Sequence, residues 1–284
     1  MKGYIPRTTI LRLSYMITAV VVCLTLSIAH SGLVNARQQN NNTLMQFQGI
    51  PNMTTTNAAN TNIVLVHGTY VDGSSWNKVI PILQNAGHKV IAVQLPLHSL
   101  ADDISTVKRA IDLVGGPVIL VGHSYGGFVI TNAAYNNPKV KGLVYIAAFA
   151  PKEGQSLTNL VDATKIPKGF LVFDNGGFVY LNPNMFPQAF AQDIDVAQAK
   201  VMAAVQKPFS QSILAEKSGP PAWKQLPTWY QISKNDRLIP PASEQMFAKQ
   251  INATTISLPS SHASPLSHPN EVAQLILNAT KDAK

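Results

Sequence analysis

The chain has 284 residues with 22 basic and 14 acidic side chains, a formal net charge of +8. Its basic residues are scattered with no run of five, which argues against nucleic-acid binding and leaves a mildly basic surface. The single cysteine, Cys23, excludes a disulfide framework and a thiolate metal site, so the fold must be held by its core.

The N-terminus has three parts. Lys2, Arg7 and Arg12 form a basic start, Leu13 to Ala29 is an apolar run of 17 residues, and Val34-Asn35-Ala36 supplies a small-residue cleavage site. This layout predicts a signal peptide over residues 1–36 and export to the periplasm or beyond. The alternative is an N-terminal membrane anchor, for which the run has the minimum length. Cys23 follows Val20-Val21-Val22, without the small residue that a lipoprotein signal places before its cysteine. Cleavage would leave 19 basic against 14 acidic side chains, a net charge of +5. Residues 37–61 are rich in Asn, Gln and Thr and read as a disordered lead-in.

From Asn62 to Lys284 the sequence reads as one α/β domain. Ile63–Val66 is a short apolar run of the kind buried in a parallel sheet. Helical spacing follows over Ser75–Ala86, then a strand over Lys89–Val93 and an amphipathic helix over Ala101–Val114 that Gly115-Gly116-Pro117 stops. Val118–Val121 predicts a third strand, Phe128–Tyr135 a helix, and Leu143–Ala147 a fourth strand. Residues 150–222 break this alternation with prolines and short strand signals at Phe170–Phe173 and Phe178–Leu181, as expected of an inserted lid. Most lid aromatics are expected to pack it onto the core. The alternation resumes with Thr228–Ile232, Pro241–Gln250, Thr254–Leu258 and a closing helix over Pro269–Ala279. Strands alternating with helices predict a doubly wound, mostly parallel sheet.

The chemistry is carried by Gly122-His123-Ser124-Tyr125-Gly126, directly after the third strand. A serine on a sharp strand-to-helix turn presents its hydroxyl in the open, and flanking glycines give the strained turn room. The hydroxyl needs a base, and the base an orienting acid. In open α/β sheets these groups gather beyond the carboxyl ends of the strands. Asp236, in the turn-rich loop after Thr228–Ile232, fits the acid; a role confined to stabilising that turn is the alternative. Asp174 is a rival, and Asp102 and Asp103 fit the start of a helix better. His262, after the last strand, fits the base, with His268 as rival beside the last helix. His67 and His123 read as structural, and His88 and His98 as surface or loop residues. One oxyanion donor is the amide of Tyr125; the other is expected from the His67–Trp76 loop, with Thr69 the best candidate and Tyr70 at the pocket mouth. No His/Asp/Glu set has metal-ligand spacing, so no metal is expected.

Together these segments resemble the α/β-hydrolase superfamily, and within it bacterial relatives of the plant methylesterase and hydroxynitrile lyase group. The resemblance rests on His67-Gly68-Thr69-Tyr70 and the sequence on to Trp76, on the Ser124 motif with Gly127, on Asn235-Asp236-Arg237-Leu238-Ile239-Pro240, and on Ser261-His262-Ala263 with Ser267-His268-Pro269. It implies a Ser124–Asp236–His262 triad, an oxyanion hole at Thr69 and Tyr125, a lid over an apolar pocket and no cofactor. It further implies a carboxylesterase that cleaves small or medium apolar esters through an acyl-enzyme. The expected partner is a small-molecule ester, with no nucleic acid and, after signal cleavage, no membrane. A lyase on the same triad and a non-catalytic ligand-binding relative are the alternatives. Lyases of the group have a threonine where this chain has Gly68 and a lysine where it has Ala263, which turns the reading toward hydrolysis.

Overall fold

The computed structural model describes residues 61–283. The expected signal peptide and nearly all of the expected lead-in lie outside them. Among the described residues no helix is long and apolar enough to cross a membrane.

The chain enters through β1 (Asn62–Val66), passes a 3-10 turn at Gly73–Trp76 and forms α1 (Ile80–Asn85). The predicted continuous helix over Ser75–Ala86 is thus split. Pro81 occupies the first turn of α1, where its missing N–H costs nothing and its fixed φ starts a helix afresh. Then follow β2 (Val90–Ala92), α2 (Leu100–Val114), β3 (Val118–His123), α3 (Tyr125–Ala133) and β4 (Val140–Ile146). The inserted region holds α4 (Leu157–Leu160), β5 (Leu171–Phe173), β6 (Phe178–Leu181), α5 (Phe186–Phe190), α6 (Val196–Ala204) and β7 (Phe209–Ser210). The chain closes with β8 (Thr228–Ser233), α7 (Pro241–Gln250), β9 (Thr254–Leu258), α8 (Ser264–Ser267) and α9 (Pro269–Asp282).

Six strands form one sheet in the order β2-β1-β3-β4-β8-β9, every adjacent pair parallel. Strand alternation divides its side chains between two apolar clusters. Val64, Val66, Leu120, Leu143, Tyr145 and Tyr230 face one side, packed with α2, α3, α7 and much of the insertion. Ile63, Leu65, Ile119, Val121, Val144 and Ile146 face the other, under α1 and α9. Val272, Leu275 and Ile276 of α9 are buried there; each such side chain stabilises by roughly 1.5–3 kcal/mol. This is the doubly wound sheet that the alternation predicts.

The insertion contains a small antiparallel sheet, β5-β6-β7, with Val172 opposite Tyr180 and Val179 opposite Phe209. The sequence pattern misses β7, whose two residues are too short for a periodic signal. Phe186, Phe190 and Phe209 are buried in the same cluster as α2 and α3, whereas Phe173 is exposed. Half of the six expected lid aromatics, Phe173, Phe178, Tyr180, Phe186, Phe190 and Phe209, thus pack as lid-to-core contacts, while Phe178 and Tyr180 are half-buried and Phe173 is exposed.

The sheet order places the functional loops. The chain steps from β1 outward to β2, then crosses back to β3 on the other side of β1. Connections leaving neighbouring strands in opposite directions open a crevice at their carboxyl ends. The His67 loop follows β1 and Ser124 follows β3, so both meet there.

Candidate active site

Ser124 sits between the last residue of β3 and the first of α3 with φ 55° and ψ −123°. A non-glycine residue here stores of order 1–3 kcal/mol of strain, which persists only where packing fixes it. The neighbours show how. A Cβ on Gly122 would stand 2.6 Å from the backbone of Gly126 and Gly127, and one on Gly126 would collide with the carbonyl of Val66. Strand, turn and helix are thus in backbone contact. Because α3 begins at Tyr125, its free amides and the positive end of its dipole lie at the serine.

The loop after β1 closes over the serine from the other side. A Cβ on Gly68 would be 2.6 Å from Ser124 Cβ and 3.1 Å from Ser124 Oγ. His67 shapes this loop: Nδ1 donates to its neighbour's carbonyl, Gly68 O (2.8 Å), and Nε2 accepts from the Leu95 amide (3.0 Å). Burial lowers its pKa to about 4, so it stays neutral in that tautomer. Neither the Thr69 nor the Tyr125 amide makes a backbone hydrogen bond among the described residues. Tyr70 is buried with φ 66° and meets Phe209 edge-on at 5.5 Å, beside a cavity of about 90 Å³.

Asp236 and His262 come together as the sequence predicts. His262 Nδ1 donates to Asp236 Oδ2 at 2.5 Å, and the other carboxylate oxygen accepts from the amides of Leu238 (2.6 Å) and Ile239 (2.9 Å). Both side chains are buried. Their loops are laced together: the Asn235 amide donates to Ser260 O, and its side chain donates to Pro259 O. The lid contributes Asp193, whose carboxylate accepts from the Ser261 amide at 2.7 Å.

His262 is also joined to the serine turn. His123 Nε2 donates to the His262 carbonyl at 2.8 Å, and the two rings lie 4.7 Å apart. Burial and the neighbouring His262 push the His123 pKa well down, so this ring is a neutral strut. Phe190 of α5 caps His262 edge-on at 5.0 Å. Nε2 of His262 is buried and without a hydrogen-bond partner among the described residues. Bonds of this kind to a nucleophilic hydroxyl often form only when substrate binds.

The rivals have other work. Asp174 accepts from the amides of Gly176 and Phe178 and holds the β5–β6 turn, far along the exposed lid. His268 bonds Ser267 and caps α9, as its position predicts. Asp102 belongs to the start of α2, paired with Ser99. Asp103 departs from the helix-start reading. It is fully buried, accepting from the Leu97 amide and from the Tyr125 hydroxyl, both at 2.9 Å. Burial raises its pKa to about 6. Helical spacing already puts Asp103, with Leu100, Val107 and Ala110, on the apolar face of α2 and leaves Asp102 off it; its partners, the Leu97 amide and the Tyr125 hydroxyl, come from the packing of α2 against the rest of the chain. Glu244 of α7 is likewise fully buried, with Oε2 accepting from the Ser233 amide at 2.9 Å. An acid in the first turn of a helix reads as a solvated dipole partner, which hides this residue from sequence reasoning.

A cavity of about 630 Å³ runs between the lid and the Arg237–Pro240 segment, lined by Phe149, Phe170, Met185, Leu238 and Ile239 among others. Ser124 and His262 are not on its walls. It touches the site indirectly: the Phe149 amide donates to the Ser124 carbonyl, and Leu238 and Ile239 hold Asp236. Among the described residues no group of three or more His, Cys, Asp or Glu side chains could hold a metal ion.

A family model described as the alpha/beta hydrolase family matches residues 63–275. A carbendazim hydrolyzing esterase from Nocardioides sp. is 35% identical over 128 residues, covering 40% of this chain and 53% of that protein. Thus the chain spans about half the length of that relative. Polyneuridine aldehyde esterase from Rauvolfia serpentina is 25% identical over 252 residues, covering 76% and 94%. A solved pyrethroid hydrolase from Sphingobium faniae has a TM-score of 0.68 at 23% identity, over 78% of this chain and 97% of that one, a likeness of fold.

Proposed function

Because this chain belongs to the alpha/beta hydrolase family, we propose that it is a serine carboxylesterase in which Ser124, His262 and Asp236 form the triad. The observation that carries the proposal is the bond from His262 Nδ1 to Asp236 Oδ2. With the proton committed to Nδ1, the lone pair of Nε2 is free to act as base. Ser124 Oγ attacks the ester carbonyl while Nε2 takes its proton, and Asp236 stabilises the resulting imidazolium. The carbonyl oxygen becomes an oxyanion that accepts hydrogen bonds from the amides of Thr69 and Tyr125, the latter at the positive end of α3; one such donor is worth roughly 3–4 kcal/mol. Nε2 then protonates the departing alcohol. Water, deprotonated by the same nitrogen, releases the acid from the acyl-enzyme and restores Ser124.

A small or medium ester with an apolar side is the proposed substrate, in keeping with the relatives named for esterase and pyrethroid hydrolase activity. Gly68 and Ala263, where lyases of the group have a threonine and a lysine, argue against a lyase. Fluorophosphonate labelling followed by a p-nitrophenyl ester chain-length panel tests the proposal. Labelling and turnover are expected in the wild type and absent in Ser124→Ala. Well-folded protein that neither labels nor hydrolyses esters, lactones, thioesters or amides overturns it.

A further inference from the structure

Glu244 is a fully buried acid that the triad chemistry leaves unused. It sits in the first turn of α7, the helix that follows the Asp236 loop, and its Oε2 is held by the Ser233 amide. Its second oxygen, Oε1, is buried and has no partner as a carboxylate oxygen. The ionisable groups acting around it are Asp236, on the loop, and Tyr230, on β8; no basic side chain among the described residues offsets it. Two carboxylates packed together without a cation cannot both stay ionised.

The donors decide which one keeps the charge. Asp236 accepts three hydrogen bonds, from Leu238 N, Ile239 N and His262 Nδ1. Glu244 accepts one, from Ser233 N. Hydrogen bonds to the charged form favour it, so the charge resides on Asp236 and the proton on Glu244. An oxygen without a donor becomes satisfied when it carries a proton and donates it.

We propose that Glu244 is a positioning residue: protonated at Oε1, it donates a hydrogen bond to the Asp236 carboxylate and so sets how strongly Asp236 holds His262. The inference rests on the assignment of Asp236 and His262 to the triad. Burial and the facing Asp236 raise the Glu244 pKa to about 11, in keeping with a proton held through the neutral range. The device spreads part of the Asp236 charge away from His262. The Asp236–His262 bond is thereby kept weaker than a bare pair would make it.

The acid limb of kcat/KM against pH reports the free-enzyme histidine, and two variants separate the outcomes. Glu244→Gln keeps an acceptor for Ser233 and a donor for Asp236, so its acid limb is expected within a few tenths of a pH unit of wild type. Glu244→Leu removes the donor; its acid limb is expected to move up by about half to one pH unit. Infrared difference spectra of wild type minus Glu244→Gln at about pH 8 are expected to show a protonated-carboxyl C=O band, a readout that needs no activity. A downward shift of about one unit in Glu244→Gln means an ionised Glu244 has been removed, and overturns the inference. So does a folded Glu244→Leu with an unmoved acid limb, or the absence of the infrared band. Failure of the triad is separate: it appears as activity persisting in Ser124→Ala or His262→Ala, whatever the Glu244 variants do.

Discussion

Placing a methyl group on Gly68 is the sharpest perturbation the site offers. In Gly68→Ala the new Cβ would stand 2.6 Å from Ser124 Cβ, 3.1 Å from Ser124 Oγ and 3.1 Å from the His123 carbonyl. Carbon atoms in ordinary contact lie about 3.5–4.0 Å apart, so one side must retreat by about 1 Å. Ser124 cannot simply rotate away, because its backbone is fixed by contacts of Gly122 and Gly126 with the turn and with β1. Overpacking of this kind costs roughly 1–3 kcal/mol, a fall in melting temperature of about 2–12 °C for a domain this size. A displacement of about 1 Å at the nucleophile is expected to lower kcat/KM by up to about a hundredfold. The assay is kcat/KM on p-nitrophenyl butyrate, with fluorophosphonate labelling rate and thermal melting measured alongside. Gly219→Ala serves as control, since its Cβ would meet only Asn132 Oδ1 at an ordinary 3.4 Å. A folded Gly68→Ala enzyme with wild-type turnover and labelling would refute the close approach of this loop to Ser124.

Three further outcomes are expected. Asp236→Asn should keep its carbonyl oxygen toward the Leu238 and Ile239 amides and present its NH2 to His262; that forces the proton onto Nε2 and lowers kcat by a factor on the order of 10⁴, read by ester turnover with melting unchanged within a few degrees. Asp103→Asn tests linkage: the native pKa of about 6 lies above the unfolded value of 3.8, so the native state binds more protons between them and wild type loses stability as pH rises through that window. Relative to Asp103→Asn, wild type should lose about 3 kcal/mol from about pH 4 to above about 6, measured by urea unfolding; a flat difference counts against the buried carboxyl. Expression of the full chain, with fractionation and N-terminal sequencing of the product, should find exported protein beginning near Arg37; an intact, membrane-bound chain would favour the anchor instead.

The parts of the site that follow from chain order are legible in the sequence. Ser124 is marked by glycines that the elbow requires, and Asp236 and His262 follow late strands, where a doubly wound sheet gathers its functional loops. The strands themselves are legible because buried parallel strands are continuous apolar runs, as in Val118–Val121, which extends in the structure to His123. Less legible are short or composite elements. Pro81 restarts a helix that the apolar spacing carries straight through, and β7 has only two residues.

The sequence by itself determined the alternation of the sheet strands with their helices, the Ser124 turn and the two late loops that carry Asp236 and His262, because these are written as local periodicity and glycine placement. Only the tertiary structure decided that Asp103 meets the Tyr125 hydroxyl and the Leu97 amide, that Phe190 caps His262, and that Glu244 lies buried against Asp236. The reason is physical. Burial, and with it the protonation state of an acid, depends on which elements pack against each other from distant parts of the chain, and no local pattern encodes the dielectric or the donors that a side chain will meet.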